Sequence, residues 1–316
     1  MRRLGLLLAG AAVTLLACGC PPPAAPPARP RVPRPLSEVI ATVNENAARV
    51  DRPMYASPLR VNADVADSND RIHRFSFEGA LLVRKPDELR LDLRHGLGGE
   101  PIMQVATNGA EYWAWIVPEV STYWWGRRAH LGEPCVTTIP VRPEQLAEVL
   151  GMNPLPEGRT DLLGPARLYE ERFDRLLYSR PRGAAYEFDR EYWIDGEPPY
   201  LVRRVIFRDA YGRQAMHAEI DDCAAAWEAG PLVARRIRVF WPSVRVGGAE
   251  SRMELTVANW RDPGRISRRA FERPVEAPPG VTHTVQVDAA CDEAGHSSSA
   301  PATQPAGDAP DSAAGT

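Results

Sequence analysis

The chain has 316 residues, of which 44% are hydrophobic and 25% are charged, so its composition is that of a globular protein and excludes a wholly disordered one. A formal net charge of −3 gives no electrostatic reason to expect a nucleic-acid partner. Lys85 is the single lysine among 38 basic residues, a bias that a GC-rich genome explains.

The first residues have the parts of a bacterial export signal. Two arginines precede a 13-residue apolar run, Leu4 to Leu16, which is too short to cross a membrane as a helix. The run ends in the sequence LLAC, which resembles the lipobox of bacterial lipoproteins, and its cysteine is Cys18. This resemblance implies cleavage after residues 1–17 and acylation of Cys18. An ordinary export signal with a chance cysteine is the alternative.

Low-complexity segments flank the middle of the chain. Residues 18–35 contain eight prolines, which favour the semi-rigid polyproline II helix and predict a tether between anchor and domain. Residues 289–316 contain no large apolar residue and are predicted to be a disordered tail. The folded domain is therefore predicted over 36–288.

One helix comes first in this domain, and strands dominate after it. Apolar residues at helical spacing from Leu36 to Val43 predict a helix that ends near Val50. Alternation of apolar and polar residues predicts strands over 59–65, 75–83, 89–93, 102–106, 111–117 and 120–125. A second helix is predicted over 143–150, with proline in its first turn. Further strands are predicted over 184–195, 200–209, 214–222, 232–241, 251–260 and 267–273.

This order of elements predicts a mainly β protein of about ten to twelve strands with few helices. A single antiparallel sheet of that size must curl or close. Two or three helices cannot fill so wide a barrel, so we expect an apolar cavity. Such cavities hold acyl chains or other hydrophobic ligands.

The remaining cysteines fit no disulfide framework and no zinc motif. Export permits disulfides, and a bridge between Cys135 and Cys223 is one possibility. Cys20 follows the proposed anchor closely. Cys291 lies in the low-complexity tail and is expected to stay unpaired.

No motif predicts catalysis. The loop His95–Glu100 resembles an oxyanion-hole loop, but the Gly-x-Ser-x-Gly elbow that such an enzyme needs is absent. His217, Glu219 and Asp221 share one predicted strand face, where solvent-facing polar residues are the ordinary explanation. We expect no catalytic residue, no metal ligand and no cofactor; an enzyme with an unrecognised site is a third alternative for the function.

An aromatic cluster is the least ordinary feature of the first half. Six aromatic residues fall within 14 positions, from Tyr112 to Trp125. On paired strands they would lie on both faces of the sheet, where core packing, a ligand cavity or a membrane-interface belt would each explain them. The candidate residues for a ligand cavity are Trp113, Trp115, Trp124 and Trp125, together with Leu89, Leu91 and Leu93 of the preceding strand.

Three short motifs, in this order, resemble the LolA/LolB-like lipoprotein-carrier superfamily, and most closely its outer-membrane lipoprotein receptors of the LolB type. They are LRLDL at 89–93 followed by glycines at 96 and 98, IPVRPEQL at 139–146, and MELTVANW at 253–260. Over 36–275 the resemblance implies an incomplete antiparallel β-barrel with a helical lid over an apolar cavity. It implies that the cavity takes lipoprotein acyl chains from a LolA-like periplasmic carrier.

The resemblance also implies a role for Leu97. In LolB-type receptors a loop between two early strands carries an exposed leucine that is needed for membrane insertion, and Leu97 holds the matching position between glycines. Packing of Leu97 into the core is the alternative. The chain departs from the family pattern in its long tether, in the segment around 155–183 and in its tail.

Together these features predict a monomeric, lipid-anchored protein of the bacterial envelope. The location that they favour is the periplasmic face of the outer membrane. It would bind acyl chains or lipoproteins and assist their insertion, in contact with membrane lipid through Cys18 and without a nucleic-acid partner. The alternative is an anchored module that binds another hydrophobic ligand or a protein in a structural or signalling role.

Overall fold

One large sheet organises the chain from Pro33 onward. The structure is a computed structural model that describes residues 32–66, 71–96, 99–118, 120–131, 133, 135–136, 142–209, 211–242 and 248–291. The sheet contains fifteen strands. Helices are few and short.

The first half of the sheet is built in chain order. Helix α1 precedes it at Leu36–Ala48. The strands are β1 (Met54–Ala66), β2 (Ile72–Arg84), β3 (Glu88–Arg94), β4 (Pro101–Thr107), β5 (Glu111–Ile116) and β6 (Thr122–Arg127). Each pairs antiparallel with the next, so local hairpins form this half.

The second half repeats this plan. Helix α2 occupies Pro143–Val149. The strands are β7 (Leu163–Tyr169), β8 (Phe173–Arg182), β9 (Ala185–Asp195), β10 (Val202–Arg208), β11 (Gln214–Ala225), β12 (Leu232–Trp241), β13 (Ser251–Val257), β14 (Trp260–Arg261) and β15 (His283–Gln286). Strand β13 pairs with β1 and thereby joins the halves, giving the order β15-β6-β5-β4-β3-β2-β1-β13-β12-β11-β10-β9-β8-β7. The short β14 also pairs with β1.

The sheet is an incomplete barrel, because its terminal strands β15 and β7 do not pair with each other among the described residues. The prediction of a mainly β fold with few helices is confirmed. Three details of the strand prediction are wrong. Residues 267–273 contain a short 3-10 helix instead of a strand. The Ser267 hydroxyl caps this helix by accepting a hydrogen bond from the Arg269 amide. Strands β7 and β8 were not predicted, and β15 pairs parallel with β6.

The concave face of the sheet carries the main hydrophobic core. Leu91 of β3, Leu176 of β8 and Ile237 of β12 belong to one buried cluster with Val39 of α1 and Val149 of α2. One core therefore contains side chains from strands far apart in the sheet and from both helices, as expected for a sheet that curls around the helices. Residues at alternate positions point to the opposite, convex face.

A long C-terminal segment crosses the convex face of β3 to β6. We call residues 262–291 the C-terminal strap. Beneath it lies a second core that contains Trp113, Trp115 and Tyr123. Sheet side chains donate hydrogen bonds to strap carbonyls at three points: Arg90 to Ala270 (3.0 Å), Asn108 to Phe271 (3.0 Å) and Tyr123 to Pro274 (2.9 Å).

A disulfide closes the end of the strap. Cys135 and Cys291 are bonded, with their Cα atoms 5.3 Å apart. The possible bridge between Cys135 and Cys223 is therefore wrong, and so is the expectation of an unpaired Cys291; Cys223 is a free thiol. The strap accounts for the difference, because it returns a residue 156 positions later to the end of the first half of the sheet.

Asp288, three residues before Cys291, also holds the strap in place. Its side chain is fully buried. Oδ2 of Asp288 accepts a hydrogen bond from the Arg127 amide (3.0 Å) and is also hydrogen-bonded to Nδ1 of His130 (2.8 Å). Burial favours the neutral carboxyl, but these hydrogen bonds and one from Gln286 outweigh it and lower the pKa of Asp288. The strap therefore ends in a buried, ionised group next to a covalent bond.

Candidate functional site

The leucines predicted to line a cavity lie on the concave face. Leu89, Leu91 and Leu93 are at most 1% exposed and belong to the main core. Their strand pairs with β2 and β4, and α2 packs against β4 and β5 nearby. The three side chains thus form part of an apolar surface that the helices cover.

The tryptophans predicted to line the same cavity are divided between the two faces. Trp113 and Trp115 are buried in the convex core, where Trp125 packs against them. Trp124 is partly buried and contacts the concave core. Alternation along β5 and β6 places neighbours on opposite faces, as the sequence predicted, and the strap covers the convex side. The structure therefore does not bring the four indoles together around one cavity.

Helix α1 covers the concave face through an apolar stripe and a few polar contacts. Its buried residues are Val39, Ile40, Val43 and Ala47. The side chain of Asn46 donates to the carbonyl of Leu232 and accepts from its amide, both at 2.8 Å. A neutral hydrogen bond contributes about 1 kcal/mol net, so this pairing adds modestly to the apolar contacts.

The single lysine holds the C-terminal end of α1. The ammonium of Lys85, in the turn between β2 and β3, donates to the carbonyl of Ala47 at 2.6 Å. A cation at this position satisfies a terminal carbonyl and interacts favourably with the helix dipole. Burial lowers the pKa of Lys85. The lysine therefore joins the sheet to the helix that covers it.

Helix α2 is held by an ion pair that sits inside the curl of the sheet. The carboxylate of Glu148 accepts hydrogen bonds from the guanidinium of Arg190 and from the hydroxyl of Tyr192. The side chains of Arg190 and Glu148 are 14% and 18% exposed, so the pair is largely shielded from water. Burial raises the pKa of Tyr192 well above its ordinary value, and the Glu148 charge adds to that effect.

A small cavity lies between the helices and the sheet. It has a volume of about 20 Å³ and is lined in part by Val43, Leu150, Tyr200 and Cys223. That volume holds about one water molecule, whereas ligand pockets span roughly 300–1,000 Å³. The cavity between the helices and the described strands is thus much smaller than the one expected from the sequence. We call these two helices the helix cover.

Cys223 is a partly buried free thiol. It faces the small cavity, and burial raises the pKa of its thiol to about 11. A thiol that stays protonated at neutral pH is a poor nucleophile. This argues against a catalytic or redox role for Cys223 while the helix cover is in place.

One carboxylate oxygen of Glu144, on α2, is buried without a hydrogen-bond partner among the described residues. This atom is Oε2, and the same is true of the hydroxyl of the neighbouring Tyr112. Burial raises the pKa of Glu144. The guanidinium of Arg142, 3.9 Å from the Glu144 carboxylate, lowers it, but burial has the larger effect. Burial and the Glu144 charge also raise the pKa of Tyr112 to about 12. An ionised Glu144 therefore destabilises the attachment of α2.

Replacing Glu144 by glutamine is expected to stabilise the protein at neutral pH. Because the folded-state pKa of Glu144 lies above its ordinary 4.5, stability falls as pH rises through that interval, and the amide removes this cost. We expect the melting temperature to rise by about 2–4 °C at pH 7, with no gain well below pH 4.5. Glu45→Gln, on the exposed side of α1, is the matched control. A lower melting temperature for Glu144→Gln at pH 7 would contradict this account.

The convex face of the second half is charged and faces water. Glu219 pairs with Arg204 and Arg238, and Arg238 also pairs with Asp221. His217 stacks on Phe240, with ring centroids 4.5 Å apart. These contacts account for the polar face of β11. Among the described residues no group of three or more histidine, cysteine or acidic side chains could hold a metal ion.

Two site residues predicted from the sequence, Cys18 and Leu97, lie outside the described residues. The loop that carries Leu97 is described only at its base, where the His95 amide donates to the Glu100 carbonyl at 3.3 Å. In the part of the chain that the structure describes, no helix is both long and apolar enough to cross a membrane.

Comparisons with known proteins give structural similarity only. No protein-family model matches the chain, and no curated protein matches it. A LolA superfamily protein from Nitrosomonas europaea is 11% identical with a TM-score of 0.45, over 74% of this chain and 97% of its own. A putative outer membrane lipoprotein-sorting protein domain from Vibrio parahaemolyticus is 12% identical with a TM-score of 0.46, over 73% and 95% of the two chains. The lipoprotein LppX of Mycobacterium tuberculosis is 11% identical with a TM-score of 0.23, over 74% and 100%.

Proposed function

We propose that this protein is a non-enzymatic, lipid-anchored envelope protein that binds acyl chains of lipids or lipoproteins. The binding surface is the apolar concave face of the sheet. The chains enter when the helix cover moves away from that face. In this role the protein receives lipoproteins from a LolA-like periplasmic carrier and assists their insertion into the outer membrane.

The single observation that carries this proposal is how the concave face is shielded. The terminal strands leave the barrel open, so α1 and α2 cover the apolar core in place of further strands. Contacts near Asn46, Lys85 and Glu148 hold the cover, and a small number of polar contacts can exchange with water when a helix moves. An acyl chain would replace the helix side chains on the same apolar surface, at about 0.8 kcal/mol per buried CH₂.

Export and anchoring are supported from two directions. The Cys135–Cys291 disulfide favours an oxidising compartment outside the cytoplasm. The sequence at 1–35 supports acylation of Cys18 and a proline-rich tether, which at full extension spans roughly 50 Å at 3.1 Å per residue. A tether of that length lets a monomeric domain reach a carrier while its anchor stays in the membrane. Leu97 would then contact the membrane during insertion.

Native mass spectrometry combined with hydrogen exchange tests acyl binding. The mature protein is mixed with palmitate, and bound acyl species are counted while amide exchange is followed along the chain. We expect one or more bound chains and faster exchange in 36–48 and 143–149, because both helices must leave the sheet. Exchange in β15, which belongs to the C-terminal strap and pairs with β6, serves as the internal control and should stay unchanged.

Two results would contradict the proposal. One is the absence of any bound acyl chain at saturating palmitate. The other is binding without a change in either helix, which would place the ligand elsewhere. A protein captured at the concave face in place of lipid would favour the alternative of an anchored protein-binding module.

A further inference from the structure

A polar groove lies on the convex face, outside the helix-covered site. It has a volume of about 370 Å³, within the range of small-molecule pockets. Strands β1, β2 and β3 form its floor and walls, and Ala270 of the C-terminal strap closes one side. The hollow forms where β1 bulges between Ala56 and Leu59 and the small side chain of Ala80 faces outward.

Some charged groups in the groove are already paired. The Asp92 carboxylate accepts from Arg90 at 2.8 Å and from the Gln104 amide at 2.7 Å. Gln104 in turn accepts from the indole of Trp113 at 2.8 Å. Arg90 also donates to the strap at Ala270. This chain of hydrogen bonds makes one wall of the groove rigid and electrically balanced.

Two other charged residues in the groove differ from these. Oε2 of Glu78 is buried and has no hydrogen-bond partner among the residues that the structure describes. Arg94 stands directly opposite Glu78 in the β2–β3 register, is exposed, and has no ion pair within the described ranges. Directly opposite residues in an antiparallel pair have Cα atoms only about 4.5–5.5 Å apart. Glu78 and Arg94 thus lie side by side in the lining of one hollow.

We propose that this groove binds a small zwitterion, with an ammonium group on Glu78 and an anionic group on Arg94. Glu78 lines the hollow, and a carboxylate accepts charge-assisted hydrogen bonds from an ammonium group. A planar guanidinium suits a phosphate or carboxylate. Tyr55, Pro58 and Leu82 provide apolar surface for the atoms that link the two charges. A phosphoethanolamine headgroup and a free amino acid share this chemistry.

Titration with soluble ligands tests the proposal on the full mature chain. Glycerophosphoethanolamine is expected to bind with a dissociation constant of about 1 mM or tighter, measured by calorimetry or ligand-observed NMR. Glu78→Gln and Arg94→Gln are each expected to weaken binding about tenfold or more, because each removes a charge-assisted hydrogen bond. Glu254→Gln and Arg236→Gln, a pair on the convex face away from the groove, should leave the affinity unchanged.

The ligand side provides tests that do not depend on folding of a variant. Glycerophosphocholine lacks the ammonium N–H donors and is expected to bind about tenfold more weakly. If glycine binds as tightly as glycerophosphoethanolamine, the ligand is a soluble zwitterion; if only the latter binds, the ligand is a phospholipid headgroup. Equal binding of inorganic phosphate, no binding of any probe, or unchanged affinity in both groove variants would overturn the proposal. These outcomes are independent of acyl binding under the helix cover.

Discussion

Removal of the Cys135–Cys291 disulfide is expected to lower the free energy of unfolding by about 2–5 kcal/mol. The bond links residues 156 positions apart, so the unfolded chain gains much conformational freedom when it is removed. The variant is Cys135→Ser with Cys291→Ser, and the measurement is urea unfolding followed by circular dichroism and by tryptophan fluorescence. Trp113 and Trp115, beneath the strap, should report a red-shifted emission in the variant before global unfolding.

The free cysteine supplies the control for this experiment. Cys223→Ala removes a thiol that forms no disulfide and adds no buried polar group, and we expect a loss of about 1 kcal/mol. Unchanged stability of the double serine variant would contradict a structural role for the bond. An unchanged fluorescence spectrum with lower stability would show that Asp288 and the strap hydrogen bonds hold the strap without it.

The alternation of apolar and polar residues was sufficient to predict most strands of the sheet. It was insufficient where a segment is held by contacts with residues far away in the sequence. Strands such as β3 could be predicted because Leu89, Leu91 and Leu93 are buried on one face while their neighbours meet solvent or the strap. Strand β7 lies at the edge and is mostly exposed, so its residues show no alternation. The strap contains no period at all, and its position follows from hydrogen bonds to side chains far away in sequence.

The candidate site was predictable only in part for the same reason. An apolar concave face follows from the alternation, but the degree to which two helices fill it depends on packing that no local pattern reveals. Signals for the cover contacts were nevertheless present. Asn46 is a polar residue three positions after Val43 on the apolar side of α1, and Lys85 is the single lysine. Both hold the helix.

Breaking the Glu148–Arg190 ion pair is expected to have the second-largest effect, and it links stability to function. Glu148→Gln leaves the guanidinium of Arg190 largely buried without its main counter-charge, although Asp189 remains close. We expect the free energy of unfolding to fall by about 2–3 kcal/mol, because an unpaired buried charge is costly. Tyr192→Phe removes only the hydroxyl contact with Glu148 and should cost about 1 kcal/mol.

The two carboxylates of α2 then give opposite predictions for acyl binding. If the helix cover must move before a chain can bind, the apparent affinity depends on the population of the open state. Glu148→Gln destabilises the closed state and should tighten palmitate binding about tenfold, which corresponds to about 1.4 kcal/mol. Glu144→Gln stabilises α2 and should weaken binding, while Glu45→Gln on α1 should leave it unchanged. If the stability of these variants changes in this order but their palmitate affinity does not, movement of the helix cover is not needed for ligand entry. Acyl chains would then have to bind to another surface.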